Sequence, residues 1–243
     1  MSNGARRPSA AEPVSELRKV KIVENGEPLV DFLKVHPNLV QARPRFDYRR
    51  EHRVRETVAE SMLVAACAVP KGLKLAVVEG WRPPYIQRRM HASATRRFAE
   101  EHPEKSPLAL KRLTNRYVAP MDPKVPPPHT TGGAIDIFLA DELGNELDHT
   151  SPYEFFDKRC YAFDAPDLTP EARKNRDLLA EVLSRGKLTN YPSEYWHWSY
   201  GDQGWAYRGG HPYAHYGPIT PDDWEPQSDD DSDEPLEFLE PPS

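Results

Sequence analysis

The sequence predicts a loop-rich α+β protein. Apolar residues alternate with a period of two in some stretches and recur at helical spacing in others. Hydrophobic residues make up 38% of the 243 residues and charged residues 29%, with 26 prolines, a balance that suits irregular connections better than a helical bundle. The chain is long enough for one sizeable core, and nothing in its composition asks for a second domain.

Residues 1 to about 15 are small, polar and proline-bearing and are expected to be disordered. Leu17 to Val23 alternates as a first strand, with Leu29 to Leu33 a short continuation, and the arginine-rich stretch that follows has no clear period. Val54 to Val69 carries Val54, Val58, Met62, Leu63 and Ala66 at helical spacing, and Pro70 and Gly72 end it. Cys67, in the apolar run of this helix, is expected in the core. Leu73 to Val78 reads as a buried strand that delivers Glu79, Gly80, Trp81 and Arg82 to a turn. A helix starts at the following prolines and runs through Ile86, Met90, Ala94 and Phe98 to about Glu101, with a shorter one at Ser106 to Leu113.

Prolines at 120, 123, 126, 127 and 128 then stiffen the approach to His129. From Ala134 a strand places Ile135, Ile137 and Leu139 on one face and Ala134, Asp136 and Phe138 on the other. Asp141 to His149 turns around Gly144-Asn145, and Ser151 to Asp167 is read as a loop. Thr169 caps a helix with Pro170 at its first position, Leu178, Leu179, Val182 and Leu183 as its buried stripe and Gly186 as its stop. Tyr195 to Tyr200 suits a strand. The globular part is thus expected over 16–221, with an acidic, disordered tail over 222–243.

That tail distorts the global charge. Glu225 to Ser243 holds eight acidic residues and no lysine or arginine, so the formal −6 of the chain becomes +2 without it. A near-neutral body implies neither nucleic acid nor an anionic membrane as partner. No apolar run reaches the ~20 residues of a membrane span, and no apolar stretch follows the basic N-terminal residues, so a cytoplasmic location is expected. Two cysteines, Cys67 and Cys160, give no disulfide framework or metal spacing. Nothing in the sequence specifies an oligomeric state.

The chemistry concentrates in three places. His129 and Asp136 stand seven residues apart across Gly132 and Gly133, and an aspartate inside an apolar strand is costly unless paired. A divalent metal shared with His129 would pair it. Glu194 and His197 lie three apart in an aromatic block, with a turn or bulge near Tyr195, or a position at the strand's beginning, needed for both to serve one site. His, His and Asp suit a catalytic zinc with one open position, and a carboxylate beside the metal is placed to act as base. Arg82 is either a cation for a developing oxyanion or the ion-pair partner of Glu79. Taken singly, each has a plainer structural reading. His91, His102, His149, His211 and His215 fit no ligand pattern.

Together, H-x-x-G-x-A-x-D at His129, Gly132, Ala134 and Asp136 and E-x-x-H at Glu194 and His197 resemble peptidase family M15, the zinc D,D-peptidases. Gly80-Trp81-Arg82-Pro83 and NYPSEYWHWSYGD look like its D-alanyl-D-alanine dipeptidases. The resemblance spans roughly Leu73 to Tyr207. It implies one zinc per chain held by His129, Asp136 and His197, Glu194 as general base and acid, Arg82 on the tetrahedral intermediate, and a small dipeptide substrate. It also implies helices packed on a central, mainly antiparallel sheet. Pro127 stands where the family usually has a serine, which removes a donor to the substrate backbone. Two other readings differ in kind: cleavage of longer peptidoglycan peptides by a carboxypeptidase or endopeptidase, and a non-catalytic metal-binding module, which the presence of Glu194 disfavours.

Overall fold

The computed structural model describes residues 12–44, 46–149, 161–166, 168–226 and 234–237. From the N-terminus the chain forms α1 (Val14–Leu17), β1 (Lys21–Ile22), β2 (Leu29–Asp31), β3 (Leu39–Gln41), β4 (Arg53–Arg55) and α2 (Glu56–Ala68). β5 (Leu73–Glu79), α3 (Pro84–Glu101) and α4 (Pro107–Tyr117) follow, then a 3-10 turn at Pro128–Thr131 and β6 (Ala134–Asp141). α5 (Pro170–Arg185), β7 (Thr189–Asn190), β8 (His197–Ser199), α6 (Gln203–Gly209) and β9 (Tyr213–Ala214) complete it. No helix among the described residues is long and apolar enough to cross a membrane.

The main sheet has the order β3-β5-β6-β8-β7, with β3 parallel to β5 and every other pairing antiparallel. It is the mainly antiparallel sheet with packed helices that the resemblance implies. β2 pairs with β4, and β1 with β9, in two small ribbons. The alternation of β6 divides the molecule. Ile135, Ile137 and Leu139, with Leu75 and Val77 of β5, pack under α2 and α5 against Val58, Met62, Leu179, Val182 and Leu183. Each such buried side chain is worth about 1.5–3 kcal/mol relative to exposure. Asp136 and Phe138 point to the opposite face, toward the side of the sheet that holds the polar residues described below.

Several local expectations shift. Pro13 leads into a turn of helix at Val14–Leu17, so only Lys21–Ile22 of the alternating N-terminal run pairs as a strand, and Glu12 to Ser15 belong to the fold. The arginine-rich stretch hides β4, because Arg55 is fully buried: its guanidinium pairs with Glu24 and donates to the carbonyls of Thr131 (2.8 Å), Glu27 (2.6 Å) and Gly217 (3.1 Å). α2 therefore begins at Glu56, after Val54 has joined the strand. Cys67 is exposed, since the buried face of α2 is made by residues 58, 59, 61, 62, 65 and 66; Cys160 and residues 150–160 of the expected loop lie outside the described residues.

Thr169 caps α5 as read, accepting from Ala172 N at 3.0 Å. Gly186 ends it for a different reason. Its φ is −80°, and a Cβ there would lie 2.2 Å from Ser61 O, so the glycine allows α2 and α5 to approach; the left-handed residue is Lys187, at φ 66°. The tail also departs from expectation: Trp224 is buried against Trp81 and Tyr85, and Leu236 is buried beside them, so residues 222–226 and 234–237 lie on the body. Two apolar side chains in an acidic run are enough to dock it.

His149 is 1% exposed, stacked on Tyr195, and uses both ring nitrogens on the backbone of Leu139 and Leu147. Burial drives its pKa from 6.5 down to about 4, despite the hydrogen bond to Leu147 O. The unfolded chain takes up this proton near pH 6.5 and the native chain only near about pH 4, so unfolding binds a proton between them and stability falls as pH falls. At ~1.4 kcal/mol per pH unit the loss is about 3 kcal/mol. Urea unfolding from pH 7 to 4 is expected to show this slope, and His149→Gln, less stable at pH 7, is expected to flatten it.

Candidate metal centre

Strand register brings the site together. Across β5, β6 and β8, Glu79 lies opposite Asp136 and Asp136 opposite His197, which puts the three side by side on the face away from α2 and α5. A register shift between Val77 and Glu79 sets Glu79 in line. His197 is the first residue of β8, and Glu194 precedes it in a turn closed by Glu194 N to Tyr191 O (2.9 Å) and His197 N to Glu194 O (3.2 Å). This is the turn that the three-residue spacing requires. Asn190, the first residue of the NYPSEYWHWSYGD motif, donates its amide to Glu194 O (2.9 Å) and His197 O (3.1 Å) and holds that turn.

His129 arrives from the 3-10 turn after the prolines. Gly132 has φ 72°, and a Cβ on it would lie 2.5 Å from Leu29 Cδ2; one on Gly133 would lie 2.7 Å from Tyr200 O. Both glycines are therefore needed for the chain to fold back into β6.

The donor atoms converge on one oxygen. Asp136 Oδ1 is 3.2 Å from His129 Nε2 and 3.0 Å from His197 Nδ1. His129 Nδ1 lies 2.9 Å from Gly80 O, which can only accept, so Nδ1 donates there and Nε2 is the nitrogen turned toward the carboxylate oxygen. At that distance a positive charge, either a proton on the ring or a metal ion, belongs between them. Asp136 responds in the same sense: burial raises its pKa, but the two imidazoles outweigh burial and hold it well below the usual carboxylate range. His197 is lifted above its ordinary value because Asp136, with smaller help from Glu194 and Asp202, overcomes the effect of burial. Tetrahedral ligands about 2.0 Å from a zinc ion stand about 3.3 Å apart, close to the spacing seen. The residues fit a metal, and the hydrogen bond from His129 to Gly80 orients the ring as an outer partner of a metal ligand does.

Arg82 forms the ion pair with Glu79 that the sequence allowed. Its Nε and Nη2 each lie 3.1 Å from Glu79 Oε2, its Nη1 donates to Gln87 Oε1 at 2.7 Å, and its backbone N donates to His129 O at 3.1 Å. Burial would lower its pKa, but Glu79 first, then Tyr48 and Asp136, raise it, so the guanidinium stays charged. Tyr48 donates its hydroxyl to the same Glu79 oxygen. Neither Tyr48 nor Gln87 has a sequence signal.

Arg82, His129, Asp136, Glu194 and His197 all line one cavity of about 410 Å³, within the ~300–1,000 Å³ of small-ligand sites. Pro127 and Trp196 are in its wall, and so is the ion pair of Glu12 and Arg208. Burial raises the Glu12 pKa, against the opposing pull of Arg208.

A buried His-His-Asp set beside an arginine, on a sheet of this kind, defines a metallopeptidase-like hydrolase. Residues 43–215 match the family model of the M15 peptidases, described as D-ala-D-ala dipeptidase, and the chain belongs to this family. A D-alanyl-D-alanine dipeptidase of Synechocystis sp. is 26% identical over 245 residues, covering 85% of this chain and 98% of that protein. One from Escherichia coli (strain K12) is 38% identical over 69 residues, 28% of this chain and 35% of that protein. A solved LD-carboxypeptidase aligns with a TM-score of 0.38 at 18% identity over 79% of this chain and 80% of that one, a likeness too weak to carry argument.

Asp136→Ala removes the oxygen on which both imidazoles converge. Zinc affinity, measured by competition with a chromophoric chelator, is expected to fall by more than the roughly 10–100-fold that loss of an outer hydrogen bond costs. Undiminished affinity would show that the metal sits elsewhere.

Proposed function

We propose that the protein is a zinc dipeptidase that hydrolyses D-alanyl-D-alanine. The observation that carries this is the convergence of His129 Nε2 and His197 Nδ1 on Asp136 Oδ1 in the cavity that also holds Arg82 and Glu194. His129, Asp136 and His197 would hold one zinc per chain, which when bound would supply a Lewis acid for the peptide carbonyl and lower the pKa of water at the site. Glu194 takes the proton of the attacking water and passes it to the leaving amine as the C–N bond breaks, so one carboxylate serves as base and then acid. Arg82, kept in place by Glu79 and Gln87, presents its positive charge to the oxygen that becomes negative in the transition state. The dipeptide is favoured over longer wall peptides by the names of the two curated relatives and by the family description. Pro127 leaves the backbone contact of the family serine unmade, and the cavity wall must hold the substrate otherwise.

Hydrolysis of D-Ala-D-Ala by purified protein, as prepared, after chelation and after zinc is restored, tests this reading. Release of D-alanine that follows the zinc is expected; no release, with cleavage of a pentapeptide ending in D-Ala-D-Ala, would move the substrate to longer peptides. Glu194→Gln is expected to retain zinc and lose on the order of 10²–10⁴-fold in kcat, the range of general acid–base catalysis. Arg82→Ala is expected to lower kcat about 10²–10³-fold with zinc still bound. Full activity in Glu194→Gln would remove it from the mechanism.

A further inference from the structure

The family match ends at residue 215, yet the chain beyond it is tied to both turns of the site. Ile219 N donates to Thr130 O (3.0 Å), next to His129, and Ile219 O accepts from Trp81 Nε1 (2.9 Å), next to Arg82. Trp224 then packs on Trp81 and Tyr85, under the guanidinium of Arg49. Further along, Ser93 Oγ donates to Leu236 O (2.8 Å), Arg89 Nε to Glu234 O (2.9 Å) and Asp47 N to Glu237 O (3.0 Å). Leu236 is 2% exposed, in the same apolar cluster as Trp81 and Met90, against which Phe46 and Tyr48 also pack.

Asp47 precedes Tyr48, and Tyr48 reaches the site. Glu79 Oε2 receives the Tyr48 hydroxyl and two nitrogens of Arg82, while Glu79 Oε1 is buried with no hydrogen-bond partner among the described residues. A buried carboxylate so sparsely satisfied pulls hard on whatever donors it has. The Tyr48 hydrogen bond takes up part of that demand, which keeps Arg82 from being drawn wholly onto Glu79. We propose that the acidic C-terminal segment is a clamp for the active site: it holds the 46–48 loop so that Tyr48 acts, through Glu79, as a positioning residue for Arg82. Its acidic side chains keep the segment soluble; Trp224, Leu236 and the backbone carbonyls do the holding. This inference rests on the role proposed above for Arg82.

The test uses the full chain with Tyr48→Phe, Leu236→Asp and the milder Ser93→Ala, each alone and combined with Arg82→Ala. The single Tyr48→Phe and Leu236→Asp variants are expected to lower kcat on D-Ala-D-Ala about tenfold, the scale of one hydrogen bond to a charged group, with KM and bound zinc unchanged; Ser93→Ala follows with a smaller drop. In the Arg82→Ala background none of them is expected to lower kcat further. The same fold-loss in both backgrounds, or no loss at all, would overturn the proposal. Amide hydrogen exchange provides a readout without turnover, and so separates failure of the clamp from failure of the D-Ala-D-Ala reading. Leu236→Asp is expected to speed exchange at 46–48 and at 79–82; faster exchange confined to 234–237 would refute the clamp.

Discussion

The structure turns on one oxygen atom. Asp136 Oδ1 sits in an apolar strand with two imidazole nitrogens aimed at it from 3.0 and 3.2 Å. A buried carboxylate is tolerated only when paired, and lone-pair donors crowded around one are tolerated only when a cation joins them. The surroundings keep this cluster from relaxing. Pairing across β5, β6 and β8 fixes Asp136 between Glu79 and His197, Gly80 O fixes the His129 ring, and the two glycines fix the turn that brings His129 back. A site that cannot collapse on itself stays ready for its ion.

Short strands and many prolines leave much of this scaffold to irregular chain, and buried arginines hold it. Arg55 ties the 3-10 turn of His129, through Thr131 O, to the N-terminal Glu24 and Glu27 and to Gly217. Arg176 does the same between α5 and the chain around His149 and Ala162, with its guanidinium over Tyr195. A guanidinium has five donors in a fixed fork, so one side chain can satisfy carbonyls from several loops that no ladder reaches. The energy of such contacts is modest, but their geometry leaves the loops few alternatives.

His129, Asp136, Glu194 and His197, which line one cavity, could be singled out in the sequence because coordination and proton transfer demand particular residue types at particular spacings. β5, β6, α3 and α5 were legible from periodicity and caps, whereas the mainly antiparallel sheet was implied by the family resemblance. What was hidden had no such grammar. Tyr48 and Gln87 are common residues whose partners lie far along the chain or act through backbone carbonyls. Arg55 lay unremarked in an arginine-rich stretch without period because its partners are mostly carbonyls, which every sequence has. Cys67 was placed in the core by the run of apolar neighbours, although the turn of the helix carries it to solvent. In the tail over 222–243, ten acidic residues masked the two apolar ones that dock.

Formal charge links these parts. Glu79 and Arg82 face each other and cancel, with Tyr48 adding a donor but no charge. Asp136 and Glu194 are left, so with both imidazoles bound to a metal through their lone pairs the residues assigned roles would carry a formal −2. A divalent cation balances that sum, and a zwitterionic dipeptide entering the cavity does not disturb it. Were Arg82 free of Glu79, Asp136, whose negative charge also raises the Arg82 pKa, would compete for it. Glu79 is thus more than an anchor: by holding the guanidinium on its own oxygen it keeps Asp136 available, and the same contact leaves Arg82 charged and at the cavity wall, where an oxyanion would form.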